Sequence, residues 1–396
     1  MPSLRIKSSV CLALLLLLFS AAIPSSAGPK DSIQDPLSGK KPRRGEMEPA
    51  ERPPAPAEKR IRLLEVWRVP LGSPLSGPLL PLQDRVVASE ENGSVHAVSL
   101  ADGRSLWRVD LRERLVGGAV EIAGRVVQAT ASGKVVALDA AEGATRWSTS
   151  LQQEIRRQLT ATRDAVLVPL ATGQIVSLDA EGRERWRVDL RGAPSTPAAA
   201  CRGMVLAGTE AGTVEAFESR SGRRLWASRV GSPVRSPLLC FDGTVYFGTE
   251  DDRLRALRAS GRKRWSYKVG GLIKAMPLSI ASRVYFLSYD NYVYVLKASS
   301  GNLVLRVRMS HRLSDDALQD RERLYLSPYT SARLTVLTLP DLQLIGEFRL
   351  DLDGEWFTTP PVRAGDRLLI GYGRYEGRIL ALKEEREEAP AAAPPP

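Results

Sequence analysis

Six tryptophans punctuate this chain at nearly constant intervals: Trp67, Trp107, Trp147, Trp186, Trp226 and Trp265, separated by 40, 40, 39, 40 and 39 residues. Counting on at the same step, Leu305 and Phe348 stand at the next two stations as apolar substitutes. The surrounding text repeats too: "GSVHAVSLADGRSLW" at 93–107, "GKVVALDAAEGATRW" at 133–147 and "GQIVSLDAEGRERW" at 173–186. A fixed period of this length means that each copy is one supersecondary unit, which buries its apolar face only by stacking on its neighbours.

Inside each unit the pattern is that of strands. An apolar pair recurs eight times, at Val86-Val87, Val126-Val127, Val166-Leu167, Val205-Leu206, Val245-Tyr246, Val284-Tyr285, Leu324-Tyr325 and Leu368-Leu369. A polar turn such as "ENGS", "ASGK" or "ATGQ" follows each pair, with Gly, Asn and Asp where hairpins need positive φ. A second apolar strand, a Gly-containing loop and the Trp strand complete the unit. A short segment ahead of the pair ("GPLLPL", "STPAAA", "SPLLC") makes four antiparallel strands. No helical periodicity of any length is present between 62 and 384. The expected fold class is therefore all-β, an eight-bladed β-propeller of four-stranded antiparallel blades. The ends distinguish it from an open solenoid. The first Trp strand, 63–71, has no earlier strands of its own, and the last unit, 358–383, lacks a fourth. Pairing of 63–71 with 378–383 closes the ring and removes both exposed sheet ends. Each Trp is then expected in the apolar layer between neighbouring blades.

The unit V-x-A-L-D-x-x-x-G-x-x-x-W resembles the quinoprotein-type, or PQQ-like, propeller repeat over about 320 residues. Two branches of that family bear on function. One holds the PQQ-dependent dehydrogenases, which are longer, carry adjacent cysteines over the quinone and place Glu, Asn and Asp around calcium; the present chain has no adjacent cysteines. The other is BamB-like, cofactor-free scaffolds in the machinery that folds barrels into the bacterial outer membrane. The size of the chain and its ending "EWFTTPPVRAGDRLLIGYGRYEGRILALK" (355–383) are similar to the second. That resemblance implies a BamA-like barrel-assembly partner, no cofactor, and a monomer within a larger complex. PQQ and calcium enter only under the alternative reading of a small-molecule dehydrogenase. A third reading is a periplasmic repeat protein with an unknown ligand. BamB-like chains carry a leucine-bearing loop after a mid-propeller Trp strand, whereas the corresponding "RGAPSTP" (191–197) is short and has no leucine.

The N-terminus points to export. Arg5 and Lys7 precede the apolar run 11–23, and small residues follow at 25–27, which reads as a signal peptide over 1–27. Cys11 lies before the leucines, so no lipobox is formed and a lipoprotein is not expected. Residues 28–61 and 385–396 are rich in Pro, Ala and charge and read as a disordered linker and tail around a propeller at 62–384. The net charge of +11 falls to +9 without 1–27, which favours acidic partners or anionic membrane surfaces. Nucleic acid is excluded by the expected location. With two histidines, His96 and His311, no histidine-based metal site is expected. Cys201 and Cys240, 39 residues apart, occupy equivalent places on adjacent blades. They could pair in an oxidising compartment, but neighbouring sheets are expected to hold them beyond the ~7 Å Cα limit, leaving two buried thiols.

Three groups of residues are candidates for function. Arg235, Lys274, Asp315 and Asp316 interrupt the small residues (Ser76, Gly118, Thr160, Thr196, Ser236, Thr359) expected at the mouth of the central channel. They could hold a small polar or anionic ligand, the two aspartates half a cation site or a base; the alternative is plain solvation. The stretch 253–265 carries six basic residues and no acidic one. Arg253, Arg255, Arg262, Lys263 and Arg264 form a candidate partner patch or an ordinary solvated edge. Residues 151–164, with Arg156 and Arg157, read as an added loop or helical turn where a partner binds, or as a tolerated insertion. No nucleophile elbow, zinc motif or phosphate loop is present, and the chain is read as binding rather than catalysing.

Overall fold

A computed structural model describes residues 60–313, 317–320, 322–328, 332–351 and 354–386. The expected signal, most of the linker, and positions 387–396 of the tail lie outside the described residues. Eight antiparallel sheets of four strands form the ring. In seven, the strands follow chain order from the axis outward; the eighth has the order Ile61–Pro70, Arg378–Arg386, Arg367–Tyr372, Val362–Ala364. The N-terminal strand thus supplies the outer edge of blade 8. It pairs over nine positions, from Ile61↔Arg386 to Pro70↔Arg378, against five in every other outer pair. Among the described residues, strand structure therefore spans Ile61 to Arg386, reaching one residue into the expected linker and two into the expected tail.

The core is eight apolar layers, one at each interface between blades. The layers explain the repeat motif. Within a blade each Trp faces a small residue across the ladder: Ala381, Ala97, Ala137, Ser177, Ala216 and Ala256 stand opposite Trp67, Trp107, Trp147, Trp186, Trp226 and Trp265. Between blades, each indole Nε1 donates to the carbonyl 33 residues on, at 2.8–3.1 Å: Leu100, Ala140, Ala180, Ser219, Ala259 and Ala298. The motif glycine of that next blade lies against the ring. Gly182 and Gly222, at φ 79° and 71°, would bring a Cβ within 2.5 Å of Trp147 and 2.9 Å of Trp186. Left-handed backbone and the approach of the indole both require glycine there.

The last two stations differ. Leu305 stands at its own, opposite Val295, and the loop beyond it carries buried Leu342 at φ 55° in place of glycine, filling the volume an indole would take. Phe348 does not hold the eighth. Val336 pairs with Gly346, and Phe348 lies two residues further on, opposite Leu334. The incoming N-terminal strand dictates the change: a Cβ on Gly346 would lie 2.7 Å from Ile61 Cγ1 and 2.9 Å from its carbonyl oxygen.

Cys201 and Cys240 form a disulfide, with Cα atoms 5.5 Å apart. The two free thiols expected from equivalent places on neighbouring sheets are therefore not found. Both cysteines sit on innermost strands, Ala199–Cys201 and Leu239–Phe241, where wedge-shaped blades converge on the axis. The bridge closes a 39-residue separation and is expected to stabilise the fold by about 2–4 kcal/mol. Thiol titration of the denatured, unreduced protein should find no thiol from either position. Cys201→Ser/Cys240→Ser should lower the urea midpoint.

A charged cluster reinforces the closing seam. Glu384 accepts from Arg363, Arg323 and the Tyr325 hydroxyl, and Arg363 also lies 2.8 Å from Asp320. These residues come from blades 7 and 8, and Asp320, Arg323, Arg363 and Glu384 border a cavity of about 830 Å³. Burial favours the protonated Glu384 carboxyl, but its bonds from Arg363 and Tyr325 outweigh this and hold it below the usual carboxylate range. A depressed folded pKa contributes stability above the unfolded value, near pH 4.3, and that stability is lost as pH falls through the folded value. Glu384→Gln should therefore cost about 2–3 kcal/mol at pH 7, and urea unfolding near pH 3 should show the difference shrunken.

Candidate functional site

The loops crossing from an outer strand to the next blade and the central hairpin turns share one end of the ring, since they bond to one another blade after blade. Ala131 N donates to Arg114 O, Ala171 N to Glu154 O, Glu210 N to Ala193 O, Glu250 N to Pro233 O, Tyr289 N to Leu272 O and Gly373 N to Trp356 O. Irregular backbone held on a rigid ring is where function concentrates in such folds, and this loop face carries most of the predicted residues.

Arg157, Glu210, Arg235 and Glu250 run along it as an ion-paired chain over blades 3 to 5. Arg157 lies 3.3 Å from Glu210, and Arg235 binds Glu210 and, at 2.8 Å, Glu250. Lys274 stands over the Tyr289 ring at 5.1 Å, with Arg312 at 5.8 Å from the same centroid. Asp315 and Asp316 lie outside the described residues. Arg235 and Lys274 are thus held by different partners. Neither lines the axial cavity, about 760 Å³ between the inner strands, whose wall is built largely from Pro, Leu and Ala. The hydroxyls of Ser236 and Thr359 accept the amides of Gly248 and Gly371, and that of Thr160 donates to Ala198 O. These small stations tie strands together.

The basic stretch does not form one patch. Arg253 and Arg255 share Asp251 and Ser266, whereas Arg264 donates to Thr244 Oγ1 and Ser299 O. The first pair begins the third strand and the others lie in and after the turn that ends it, so they occupy opposite ends of blade 5. Arg262 and Lys263 are exposed. Residues 151–159 are not an insertion: nine residues separate the strands there, as in five other crossing loops, with Ile155 and Leu159 buried and no helical turn. Arg156 makes an exposed ion pair with Glu154.

Three carboxylates escaped the sequence reading. Glu90 and Glu215 are fully buried. Glu90 accepts the Gly72 amide at 2.8 Å and lies 3.2 Å from Arg108; Glu215 accepts the Arg191 amide at 2.6 Å and lies 3.1 Å from Arg224. Asp290 accepts the Gly270 amide at 2.9 Å and the Tyr294 hydroxyl at 2.6 Å. Each captures the amide of the second residue of a crossing loop. Burial pushes the Glu90 carboxyl up, against the pull of Arg108 and the Gly72 amide. Alignment of the repeats holds the signal, because Glu215 replaces Val136 and Val176, and Glu90 replaces Thr130 and Thr209. Among the described residues no group of three or more His, Cys, Asp or Glu side chains is arranged to hold a metal ion.

With this geometry in place, known proteins sharpen the reading. The sequence profile described as outer membrane protein assembly factor BamB, of PQQ-like repeats, matches residues 64–116, 91–209 and 171–282, more than half of the chain. The chain belongs to the BamB family. A relative in Nitrosomonas eutropha, itself described as outer membrane protein assembly factor BamB, is 42% identical over 78 residues, 20% of this chain and 19% of that protein. The match therefore spans about a fifth of the relative's length. The crystal structure of BamB from Moraxella catarrhalis superposes with a TM-score of 0.67 at 20% identity, covering 81% of this chain and 97% of that one. A quinohemoprotein alcohol dehydrogenase from Comamonas testosteroni gives 0.64 at 11% identity, covering 81% and 76%. At such identities the superpositions establish the propeller alone, and a BamB-type ring and an enzyme's ring superpose almost equally well.

Proposed function

We propose that this chain is an exported, non-catalytic BamB-type scaffold that works without a cofactor. Its loop face engages a protein partner, a barrel-assembly subunit, at the periplasmic side of the outer membrane. The observation that carries the reading is the family match across 64–282. The disulfide between Cys201 and Cys240 supports folding in an oxidising compartment. The loop-face geometry supports binding over chemistry: Glu90, Glu215 and Asp290 hold backbone amides, and Arg157 and Arg235 hold Glu210.

The test is purification of tagged full-length chain from membranes of its source organism. Recovery of a barrel-assembly subunit in constant proportion is the expected result. Dye-linked alcohol oxidation by the chain after reconstitution with PQQ and calcium would overturn the reading in favour of an enzyme.

A further inference from the structure

Blade 8 breaks the uniformity of the loop face. Its crossing loop has twelve residues between Arg349 and Val362, against nine in six of the others; its hairpin turn has five between Tyr372 and Arg378, against three or four in blades 1 to 6 and six in blade 7. Departures from a repeat are where partner contacts gather. The seventh tryptophan, Trp356, lies on this loop, outside the period of the other six. Tyr375, at the tip of the turn, is 75% exposed, whereas no other large apolar side chain among the described residues exceeds 43%.

Arg374 joins the two rings. Its guanidinium lies 5.5 Å from the Trp356 centroid and 4.9 Å from that of Tyr375. Among the described residues it makes no ion pair. Its neighbour Arg378 is taken by Glu355, with Glu376 at 3.7 Å, so these two acids face Arg378. A cleft of about 350 Å³ opens between Gly354, Glu355, Arg374, Tyr375, Glu376 and Arg378.

We propose that Trp356, Arg374 and Tyr375 form an anchor that grips a carboxylate-bearing segment of a protein partner. A guanidinium lying over ring faces keeps its N–H edge free for a two-pronged bond to a carboxylate. Trp, Tyr and Arg dominate the energetics of protein interfaces. The backbone beneath is already fixed, so little order remains to be imposed on binding. Gly373 N donates to Trp356 O at 3.0 Å, Gly377 N to Ser73 O at 3.1 Å and Leu71 N to Gly377 O at 2.8 Å, while buried Phe357 bridges to Tyr372. Packing between blades does not account for the exposed pair, because Arg374 and Tyr375 lie outside every apolar layer.

The inference rests on the scaffold reading and narrows it to one place. Tagged wild-type chain, Arg374→Glu, Arg374→Lys, Tyr375→Ala and the distant control Arg220→Glu, an exposed position on blade 4, are purified from membranes, and the co-purified barrel-assembly subunit is quantified. Wild type and Arg220→Glu should recover it equally. Arg374→Glu and Tyr375→Ala should lose it at least tenfold at unchanged melting temperature, with Arg374→Lys between, since lysine keeps the charge without the planar fork. Equal recovery by wild type, Arg374→Glu and Tyr375→Ala overturns the anchor and leaves the scaffold standing. No recovery by wild type overturns the scaffold and the anchor with it.

Discussion

A chain starting at Leu71 is expected to lose cooperative folding altogether. Such a truncation strips Ile61, Leu63 and Trp67 from the layers of blades 7, 8 and 1. Each of these side chains contributes about 1.5–3 kcal/mol on burial, and together they approach the 5–15 kcal/mol that holds a typical domain. The loss also bares the Arg378–Arg386 strand along nine pairing positions, a template for aggregation. Far-UV circular dichroism and sedimentation velocity should show aggregate or a broad, non-cooperative melt. A chain starting at Arg60 should melt as sharply as the full one. A truncated chain that stays monomeric with an unchanged melt would mean that the ring holds without its clasp.

The second large effect belongs to the indoles. Trp186→Ala should cost about 3–5 kcal/mol, the range for emptying a large aromatic site, and lower the urea midpoint accordingly. Trp186→Phe keeps most of the ring but drops the 2.9 Å bond to Ser219 O and should cost about 1 kcal/mol. Gly222→Ala adds a methyl 2.9 Å from the same ring at φ 71° and should destabilise by a similar route without touching Trp186. If all three substitutions proved neutral, the indole would not be the fastening between blades 3 and 4.

These expectations also show what a reader of the bare sequence sees. The ring was legible because the indoles, their glycines and the unmatched end strands belong to one geometric pattern, and periodicity survives without coordinates. Gly346 was not, since its cause is Ile61, 285 positions earlier in the chain. The disulfide was missed for a related reason: separation along a repeat says nothing of radius, and only the taper of the blades brings Cys201 to Cys240. At the candidate site, counting charges drew attention to 253–265, yet the chain spends Arg253, Arg255 and Arg264 on Asp251, Thr244 and Ser299. Arg374 reads as one more arginine until it is seen to lie over two aromatic rings from different loops.

The closure of blade 8 by the N-terminal strand is open to direct measurement. Leu64 and Lys383 face one another in its register. With Leu64→Cys and Lys383→Cys introduced together and Cys11→Ser removing a competing thiol, mild oxidation should join positions 64 and 383 in one tryptic species, detected by mass spectrometry. A register-shifted pair, Leu64→Cys with Ile379→Cys, should remain unlinked. Linkage of the shifted pair alone, or of neither, would contradict the closed eight-bladed ring.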